Sequence, residues 1–451
     1  MTHNKQLAAL GLFDAKVPRY TSYPTSPQFS TGVQATNFSE WLGAVPAGDS
    51  VSLYVHIPFC RRLCWFCACR TQGVRTGDPV QSYLGTLLDE IRMVAAALPG
   101  GVRLNRLHWG GGTPTLLNPA QIATLAGTIA DGLPFAEGYE FSVEIDPTEV
   151  DDGRLDALAA AGMNRASMGV QDFDPDIQKV IGREQSFEIT AEVAGKLRAR
   201  GIHSLNADIL YGLPHQDTAS ITATTEKLLS LGPDRVALYG YAHVPWMAKR
   251  QTMIPEQHLP GSENRLGLFE TANDLFLASG YNAIGIDHFA RPDDGLNRAL
   301  EEGRLRRNFQ GYTDDTCDTL IGLGASAISK FRQGFVQNAA ATSAYLARVR
   351  DGAFASARGH AFSAEDHLRS RVIEELMCTF RLDLDAVEAE LDRVPVDLRS
   401  EMARVHQKFA PFTEHSGSII QILPEGRSLT RMIAREFDAY AMSASGHSLA
   451  I

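Results

Sequence analysis

The sequence predicts an α/β fold in which parallel strands alternate with helices around a barrel or partial barrel. From about residue 51, short runs rich in β-branched and aromatic residues alternate with longer stretches that carry apolar residues at helical spacing. Six such βα units can be counted, and right-handed crossovers would curl them around one sheet. The chain has 451 residues, which is enough for a barrel-sized domain with additions.

Six strands are predicted where β-rich runs end in a turn or a polar loop. They span residues 51–57, 104–109, 140–145, 166–170, 205–211 and 236–241. After the first of them, Leu84, Leu87, Leu88, Ile91 and Val94 recur at helical spacing, which predicts a helix with one apolar face on the sheet. Functional loops of such folds follow the carboxyl ends of the strands, so we expect these loops to meet at one rim.

The chain on either side of the barrel differs in character. Residues 1–35 contain the segment Pro18–Thr25, whose two prolines oppose a regular helix, so we interpret this part as an extended arm. Residues 36–360 form the predicted barrel with its extensions. Residues 361–451 are predicted to be a helix-rich C-terminal domain, in which a helix over 365–384 places Val372, Leu376 and Phe380 on one apolar face.

The composition restricts the class of protein. Hydrophobic residues make up 44% and charged residues 21%, as in an ordinary globular chain rather than a disordered one. The net charge of −11 opposes general nucleic-acid binding, so an anionic ligand needs a focused basic pocket. No apolar run reaches the roughly 18 residues of a membrane span, and the N-terminus is unlike a signal peptide. We expect a cytoplasmic protein without nucleic-acid or membrane partners.

Four of the six cysteines, Cys60, Cys64, Cys67 and Cys69, lie in one loop directly after the first predicted strand. The first three have the spacing C-x3-C-x2-C and can supply three thiolates to a [4Fe–4S] cluster, which leaves one iron without a protein ligand. An open iron can bind a small molecule and pass an electron into it. The alternative is a structural zinc site, but no second C-x2-C pair follows. Cys69 is expected to point away from Cys67, since alternate residues of an extended segment face opposite sides.

Four further segments match motifs of a known family. They are residues 53–60 (LYVHIPFC), 108–115 (HWGGGTPT), 167–173 (SMGVQDF) and 308–313 (NFQGYT). Together with the cysteine loop they resemble the oxygen-independent coproporphyrinogen III oxidases of the radical S-adenosylmethionine (SAM) superfamily. The resemblance runs from the arm into the C-terminal part and implies a radical-SAM partial (β/α)6 TIM-like barrel.

The resemblance implies an enzyme of haem biosynthesis that converts coproporphyrinogen III into protoporphyrinogen IX by oxidative decarboxylation. It implies a cluster held by Cys60, Cys64 and Cys67 and two SAM molecules, one of which yields a 5′-deoxyadenosyl radical. An electron donor and an electron acceptor are further expected partners, and we expect a monomer. Two alternatives stay open. One is a haem chaperone of the same superfamily, which typically lacks Cys69 and the arm motif, and the other is a different radical SAM enzyme acting on a tetrapyrrole.

The resemblance also assigns individual site residues. Those matching family contacts to SAM are Tyr54, Phe66, Gly111, Gly112, Thr113, Glu144, Gln171, Arg183, Asp208, Ala242 and Ile328. Cys69 matches a family cysteine that does not bind the cluster, and it is the predicted catalytic residue, with its role left open. Arg183 could instead be an exposed cation at a helix end, and Asp146 competes with Glu144, although it could merely shape the turn before Pro147.

Two local features leave choices open. Arg61, Arg62 and Arg70 near the cysteine loop, with Lys16 and Arg19 in the arm, are either solvated charges or contacts for a tetracarboxylate substrate. Trp65, Ala68 and Arg70 replace residues common in the family's loop. If the loop required a positive φ at Ala68, the methyl group would be penalised.

Overall fold

The computed structural model describes residues 3–391, 394–441 and 449–451. Its main element is one twelve-stranded sheet. The first six strands are β1 (Ser50–Ile57), β2 (Arg103–Gly111), β3 (Phe135–Ile145), β4 (Arg165–Gln171), β5 (Ser204–Tyr211) and β6 (Arg235–Gly240). The other six are β7 (Asn282–Ile284), β8 (His288–Ala290), β9 (Leu320–Leu323), β10 (Ile328–Phe331), β11 (Gly334–Asn338) and β12 (Ser356–Ala361).

The order of the strands makes an open barrel. It runs β12-β11-β10-β9-β1-β2-β3-β4-β5-β6-β8-β7, and β1 to β6 are parallel neighbours. Strand β9 is parallel to β1 on its free side, whereas the two ends of the sheet are antiparallel extensions. All six predicted strands are therefore confirmed, and the edges β12 and β7 do not pair with each other. The fold is a partial barrel with its loops at the carboxyl ends of six parallel strands.

Helices connect the parallel strands and cover the sheet. The crossover helices are Asp78–Ala97, Pro119–Gly132, Asp152–Ala160, Pro175–Val180 with Phe187–Ala199, Thr218–Leu231 and Ser262–Ala278. In the first helix the five residues of the predicted apolar face are all at most 9% exposed, so the helix packs as its periodicity indicates. None of the helices among the described residues combines the length and the apolar character that a membrane span needs.

A buried ion network fills the barrel near the starts of its strands. Arg106 lies opposite Glu140 in the β2–β3 register, Arg165 is 3.3 Å from Glu140, and Arg235 is 2.5 Å from Asp294. Burial alone would raise the pKa of Glu140, but the three arginines outweigh it and lower that pKa to about 2. Because charged side chains occupy this end, a ligand site is left to the opposite end, where the loops follow the strands.

The arm and the C-terminal part share one hydrophobic core. Leu7, Leu12, Tyr20 and Tyr23 of the arm are buried in the same cluster as Leu376 and its neighbours. The C-terminal elements are the helices Ala364–Thr379, Leu384–Ala389, Arg399–Lys408 and Thr430–Arg435 and the strands Arg381–Asp383, Thr413–Ser416 and Ile419–Ile422. Among the described residues, the other α-helices outside the barrel are His3–Ala9, Ala35–Gly43, Gly295–Glu301 and Thr342–Arg350.

The predicted helix over 365–384 is confirmed as far as Thr379, and its last five residues are wrong as a continuation of that helix. The helix ends at Thr379 because Phe380 adopts a left-handed conformation with φ of +59°, and residues 381–383 then form a strand. Phe380 is nevertheless buried, as the apolar pattern predicted. The helical spacing of apolar residues therefore extends past the point where the helix ends. The C-terminal part contains a three-stranded antiparallel sheet as well as helices.

Candidate active site

The cysteine loop stands at the carboxyl end of β1. Cys60 ends the short strand Phe59–Cys60, which pairs with Gln72–Gly73 and so closes the loop at its base. The backbone N–H of Trp65 donates to the carbonyl of Ile181 at 2.9 Å, and the Trp65 ring lies so close to Gly182 that a Cβ there would meet it at 2.9 Å. The loop is thereby fixed to the segment that follows β4. Ala68 does not have a positive φ, so its methyl group is not penalised.

Cys67 and Cys69 contact each other within this loop. The backbone N–H of Cys69 lies 3.4 Å from the Cys67 sulfur, and a hydrogen bond from the Cys69 thiol lowers the pKa of Cys67 to about 6. The expectation that the two side chains point apart is wrong, because residues 61–71 form successive turns rather than an extended segment. Burial raises the pKa of Cys60 to about 11. Cys67 is thus held closer to its thiolate form than Cys60 is.

Arg183 places a buried positive charge beside the cysteine loop. It is 8% exposed, and its Nη1 donates both to the Cys64 sulfur at 3.6 Å and to the Asp146 carboxylate at 3.0 Å. Nη2 donates to the carbonyl of Gly169 and to the Gln185 side chain. The alternative of an exposed helix-end cation is therefore wrong. Asp146 shapes its turn by accepting from Thr148, but it also orients Arg183, a role that the sequence did not indicate.

The glycine run after β2 fits closely between the first and third strands. The N–H of Gly111 donates to the Glu144 carboxylate at 2.9 Å, while Gly112 and Thr113 donate to the carbonyls of Ile57 and Phe59, each at 2.8 Å. A Cβ at Gly112 would meet three backbone atoms inside 3.0 Å. Glycine is required here by close backbone approach. Burial would raise the pKa of Glu144, but the His108 side chain and the Gly111 N–H outweigh it and lower that pKa.

Gln171 and Asp208 lie at the ends of β4 and β5. Gln171 has a φ of +70°, a conformation that costs a non-glycine residue free energy and is concentrated at functional sites. Asp208 accepts hydrogen bonds from Asn206 at 2.8 Å and Ser167 at 3.3 Å, yet burial raises its pKa. Both residues therefore lie at the same rim as the cysteine loop.

A cavity of about 1210 Å³ opens at this rim. Its wall includes six of the predicted site residues, namely Phe66, Cys67, Cys69, Gln171, Asp208 and Ala242. Seven further predicted residues are not in the wall of this cavity, namely Tyr54, Gly111, Gly112, Thr113, Glu144, Arg183 and Ile328. Tyr54 lies within β1, Arg183 lies between the helices Pro175–Val180 and Phe187–Ala199, and the other five lie at or near strand ends. Tyr54 is nevertheless close to Ile328, because Gly322 is opposite Tyr54 in the register and a Cβ on it would lie 2.5 Å from the Ile328 carbonyl oxygen.

Two residues that the sequence did not indicate fasten the cysteine loop to the segment after β6. Gln251 is fully buried, and its amide donates to the carbonyls of Phe66 at 2.7 Å and Ala242 at 3.0 Å. Arg250 donates twice to Thr71, each time at 3.0 Å. Both residues lie in the short 3-10 helix Lys249–Met253, which has no apolar periodicity and no motif, so no signal in the sequence could have found them.

The basic residues near the loop divide into two groups. Arg61 pairs with Glu149 at 3.1 Å, Arg62 lies within 3.5 Å of Thr148 and the Glu184 carbonyl, and neither is in the cavity wall. Lys16 and Arg19 of the arm do line the cavity, and Arg19 donates to the carbonyl of Gly240 at 2.8 Å. The arm rather than the cysteine loop therefore brings positive charge to the cavity.

The three cysteines suit a cluster better than a single ion. Within the described part of the chain, no three cysteine, histidine or acidic side chains converge as the ligands of one ion must. In a [4Fe–4S] cluster each thiolate binds a different iron, so three sulfurs of one loop need not meet at a point. The low pKa of Cys67 favours a thiolate at that position, and the buried Arg183 places a positive charge beside Cys64. The donor set therefore fits three corners of a cluster.

Comparisons with known proteins agree with this geometry. A family model described as the radical SAM superfamily matches residues 54–228, which cover the cysteine loop and β1 to β5. A solved structure described as coproporphyrinogen III oxidase (HemN) from Escherichia coli, a radical SAM enzyme, superposes with a TM-score of 0.89 at 37% identity. The match covers 95% of this chain and 100% of that one. The fold and the site thus define a radical SAM enzyme.

The curated relatives narrow the family further. The oxygen-independent coproporphyrinogen III oxidase of Paracoccus denitrificans (strain Pd 1222) is 60% identical over 451 residues, which is 100% of both chains. That of Escherichia coli (strain K12) is 38% identical and covers 96% of this chain and 95% of the relative. The chain belongs to the oxygen-independent coproporphyrinogen III oxidase family. Its cofactors are those of the superfamily, a [4Fe–4S] cluster and SAM.

Proposed function

We propose that the rim described above is the site at which this chain converts coproporphyrinogen III into protoporphyrinogen IX without oxygen. The observation that carries the proposal is that Cys67, Cys69 and Asp208 share the wall of one large cavity with the cationic arm. Such a wall brings the cluster loop, a SAM contact and a place for a large anion together. The family membership supports the same reaction.

The reaction sets what the site must do. Each of two propionate side chains gives up one hydrogen atom, one electron and carbon dioxide, and a vinyl group remains. A bound cluster and SAM would supply the 5′-deoxyadenosyl radical that accepts the hydrogen atom. The reaction would need an acceptor for the electron and a donor for the cluster, so both are proposed partners. The protein must hold the reacting groups at the right distance and orientation and keep water away from them.

The residues of the rim divide these tasks. Cys60, Cys64 and Cys67 hold the cluster, and Arg183 keeps a positive charge beside Cys64. The loop after β6 lines the cavity, and Gln251 fastens this loop to the cysteine loop. Cys69 lines the cavity and contacts Cys67, and we propose that it faces the substrate and does not bind the cluster.

The SAM contacts follow the strand ends. Gly111 and Glu144 are joined by a hydrogen bond at 2.9 Å, so the glycine run and the end of β3 form one surface. Gln171 and Asp208 offer an amide and a carboxylate that can bind hydroxyl and ammonium groups. We propose that Gly111, with Tyr54, Phe66, Glu144, Gln171, Arg183 and Asp208, serves one SAM and that Gly112, Thr113, Ala242 and Ile328 serve a second.

The wider organisation is proposed on the same basis. Residues 1–35, 36–360 and 361–451 are assigned to the arm, the catalytic barrel and the C-terminal domain, and the packing of the arm on the C-terminal core supports their cooperation. We propose that the chain acts as a monomer in the cytoplasm.

The proposal is tested by anaerobic incubation of the reconstituted protein with SAM, a reductant, an electron acceptor and coproporphyrinogen III. We expect protoporphyrinogen IX, carbon dioxide and 5′-deoxyadenosine. Cys60→Ser, Cys64→Ser and Cys67→Ser should each lose the cluster, as measured by iron and sulfide content. Stable haem uptake without product would instead favour a chaperone, and a full cluster in any of the three variants would contradict that ligand assignment.

A further inference from the structure

The cavity carries an excess of positive charge although the chain as a whole is acidic. Among the described residues, its wall contains three acidic side chains, those of Asp208, Glu256 and Asp287, and six cationic ones, namely Lys16, Arg19, Arg265, Arg307, Arg427 and Arg431. The whole chain has a net charge of −11. A local excess of cations inside a concave, low-dielectric wall concentrates anions there. The cavity is therefore suited to a ligand with free carboxylates.

Arg307 stands out among these cations because it is buried and held rigidly. Its side chain is 4% exposed, its guanidinium lies 4.3 Å from the centre of the Tyr312 ring, and Nη2 is 3.7 Å from the Asp287 carboxylate. Tyr312 is itself fixed, because its hydroxyl donates to the Met377 carbonyl at 2.6 Å and accepts from the Ile286 N–H at 3.0 Å. The guanidinium plane is thus set before any ligand arrives.

The hydrogen-bonding capacity of Arg307 is left largely unused by the protein. A guanidinium has five N–H donors. Nε and Nη1 of Arg307 are buried, yet neither has an acceptor among the described residues. The contact to Asp287 at 3.7 Å is longer than a hydrogen bond, so it contributes charge but satisfies no donor. Buried donors without acceptors are costly, and such a cost is expected where a ligand supplies the acceptor.

Asp287 is held by partners of its own, beyond hydrogen-bond distance of Arg307. Its other oxygen lies 2.6 Å from Nδ1 of His288, and its backbone carbonyl accepts from Leu238. Burial would raise the pKa of Asp287, but Arg307 and His288 outweigh it and lower that pKa to about 2, so the carboxylate stays charged. Asp287 and Tyr312 therefore hold Arg307 in place at the wall of the cavity.

We infer that Arg307 binds a free carboxylate of the ligand in this cavity through its unused N–H donors. Carboxylates are the groups that match a guanidinium fork with two parallel hydrogen bonds. The inference rests on the proposed function, which offers two sources of this chemistry: a propionate of coproporphyrinogen III and the amino-acid carboxylate of SAM. In either case Arg307 is a binding residue that positions the ligand by one carboxylate.

The test measures binding of two probes to the cluster-loaded protein under anaerobic conditions. Coproporphyrin III, the oxidised and unreactive porphyrin, is titrated by fluorescence, and SAM is measured by equilibrium dialysis. The variants are Arg307→Gln, which removes the charge, and Arg307→Lys, which keeps a charge beside Asp287 but lacks the fork. Arg304→Gln is the matched control, because Arg304 is an exposed neighbour that pairs with Glu302 outside the cavity.

The two sources of the carboxylate give different outcomes. If Arg307 holds a propionate, Arg307→Gln should weaken coproporphyrin III binding about tenfold to a hundredfold and leave SAM binding within twofold. If it holds the carboxylate of SAM, the selectivity should be reversed. Arg307→Lys should bind the same ligand at least severalfold more weakly. Arg304→Gln should bind both ligands with the affinity of the unaltered protein.

Other results would overturn the inference. If Arg307→Lys binds both probes as tightly as the unaltered protein, Arg307 is a structural cation. This variant decides the question even if Arg307→Gln does not fold. Equally weakened binding of both probes, together with loss of iron, would also show that Arg307 has a structural role. Absence of product from the unaltered protein would instead contradict the proposed function, so the two failures are distinguishable.

Discussion

Gly112→Ala tests whether close backbone packing of the glycine run positions the cysteine loop. A Cβ on Gly112 would lie 2.8 Å from the Phe59 nitrogen and 2.9 Å from the Ile57 carbonyl oxygen, and closer still to the Phe59 carbonyl oxygen. Ordinary contact begins near 3.4 Å, so the backbone must move by more than half an ångström. All three obstacles are backbone atoms, and no side-chain rotation can relieve them.

The displacement acts directly on the first cluster ligand. Phe59 precedes Cys60, and the same movement strains the hydrogen bonds from Gly112 and Thr113 to the carbonyls of Ile57 and Phe59. Two such bonds contribute about 1 kcal/mol each. A misplacement of about 1 Å at a reacting group can cost about a hundredfold in rate. We expect Gly112→Ala to lower SAM cleavage by about that factor and to reduce the iron content.

The assay is formation of 5′-deoxyadenosine under anaerobic, reducing conditions, with iron and sulfide measured on the same samples. Gly127→Ala is the matched control, because Gly127 lies within the helix Pro119–Gly132 and a Cβ there meets nothing within 4 Å. That change should keep full activity and raise stability by about 0.5–1 kcal/mol. Normal SAM cleavage and iron content in Gly112→Ala would refute the reasoning.

The remaining predictions concern Cys69 and Glu90. Cys69→Ser should keep its iron and bind SAM but lose porphyrinogen decarboxylation, as iron, SAM and product assays will show; loss of iron would make it a cluster ligand, and full product would make it a bystander. Glu90 is buried and accepts from Tyr345, Asn338 and Gly324, each at 2.7 Å, and burial raises its pKa to about 7. The folded state therefore binds a proton more tightly than the unfolded state, so stability present below about pH 4.5 should fall by about 3 kcal/mol as pH rises through 7. In thermal unfolding from pH 5 to pH 8, Glu90→Gln should lack this decline, and parallel curves would contradict the assignment.

Local pattern was enough to predict the barrel strands. In β1 to β6 the buried side chains form compact apolar runs between turns, and neighbouring units in the chain are neighbours in the sheet, so short-range information specifies their order. The helix over 365–384 failed for the converse reason. Phe380 keeps its place in the apolar pattern although its left-handed backbone ends the helix, and periodicity cannot register a chain reversal that leaves burial unchanged.

The cysteine loop and the glycine run were visible in the sequence because each lies within a few residues of the chain. Spacing alone placed Cys60, Cys64 and Cys67 on one loop, and the resemblance to a family supplied their cofactor. The prediction for Cys67 and Cys69 was wrong, because their contact depends on turns in a loop that Trp65 and Gln251 connect to segments distant in the chain.

What the sequence by itself determined is the set of parallel strands, the cluster loop and the family of the chain, since these depend on residues close together in the chain. The tertiary structure decided which side chains share a surface. Asp146 beside Arg183, Gln251 across two loops, and Arg307 between Asp287 and Tyr312 join residues from separate elements. Hydrogen bonds and charges act over a few ångströms in space whatever the separation along the chain, and folding alone creates those distances.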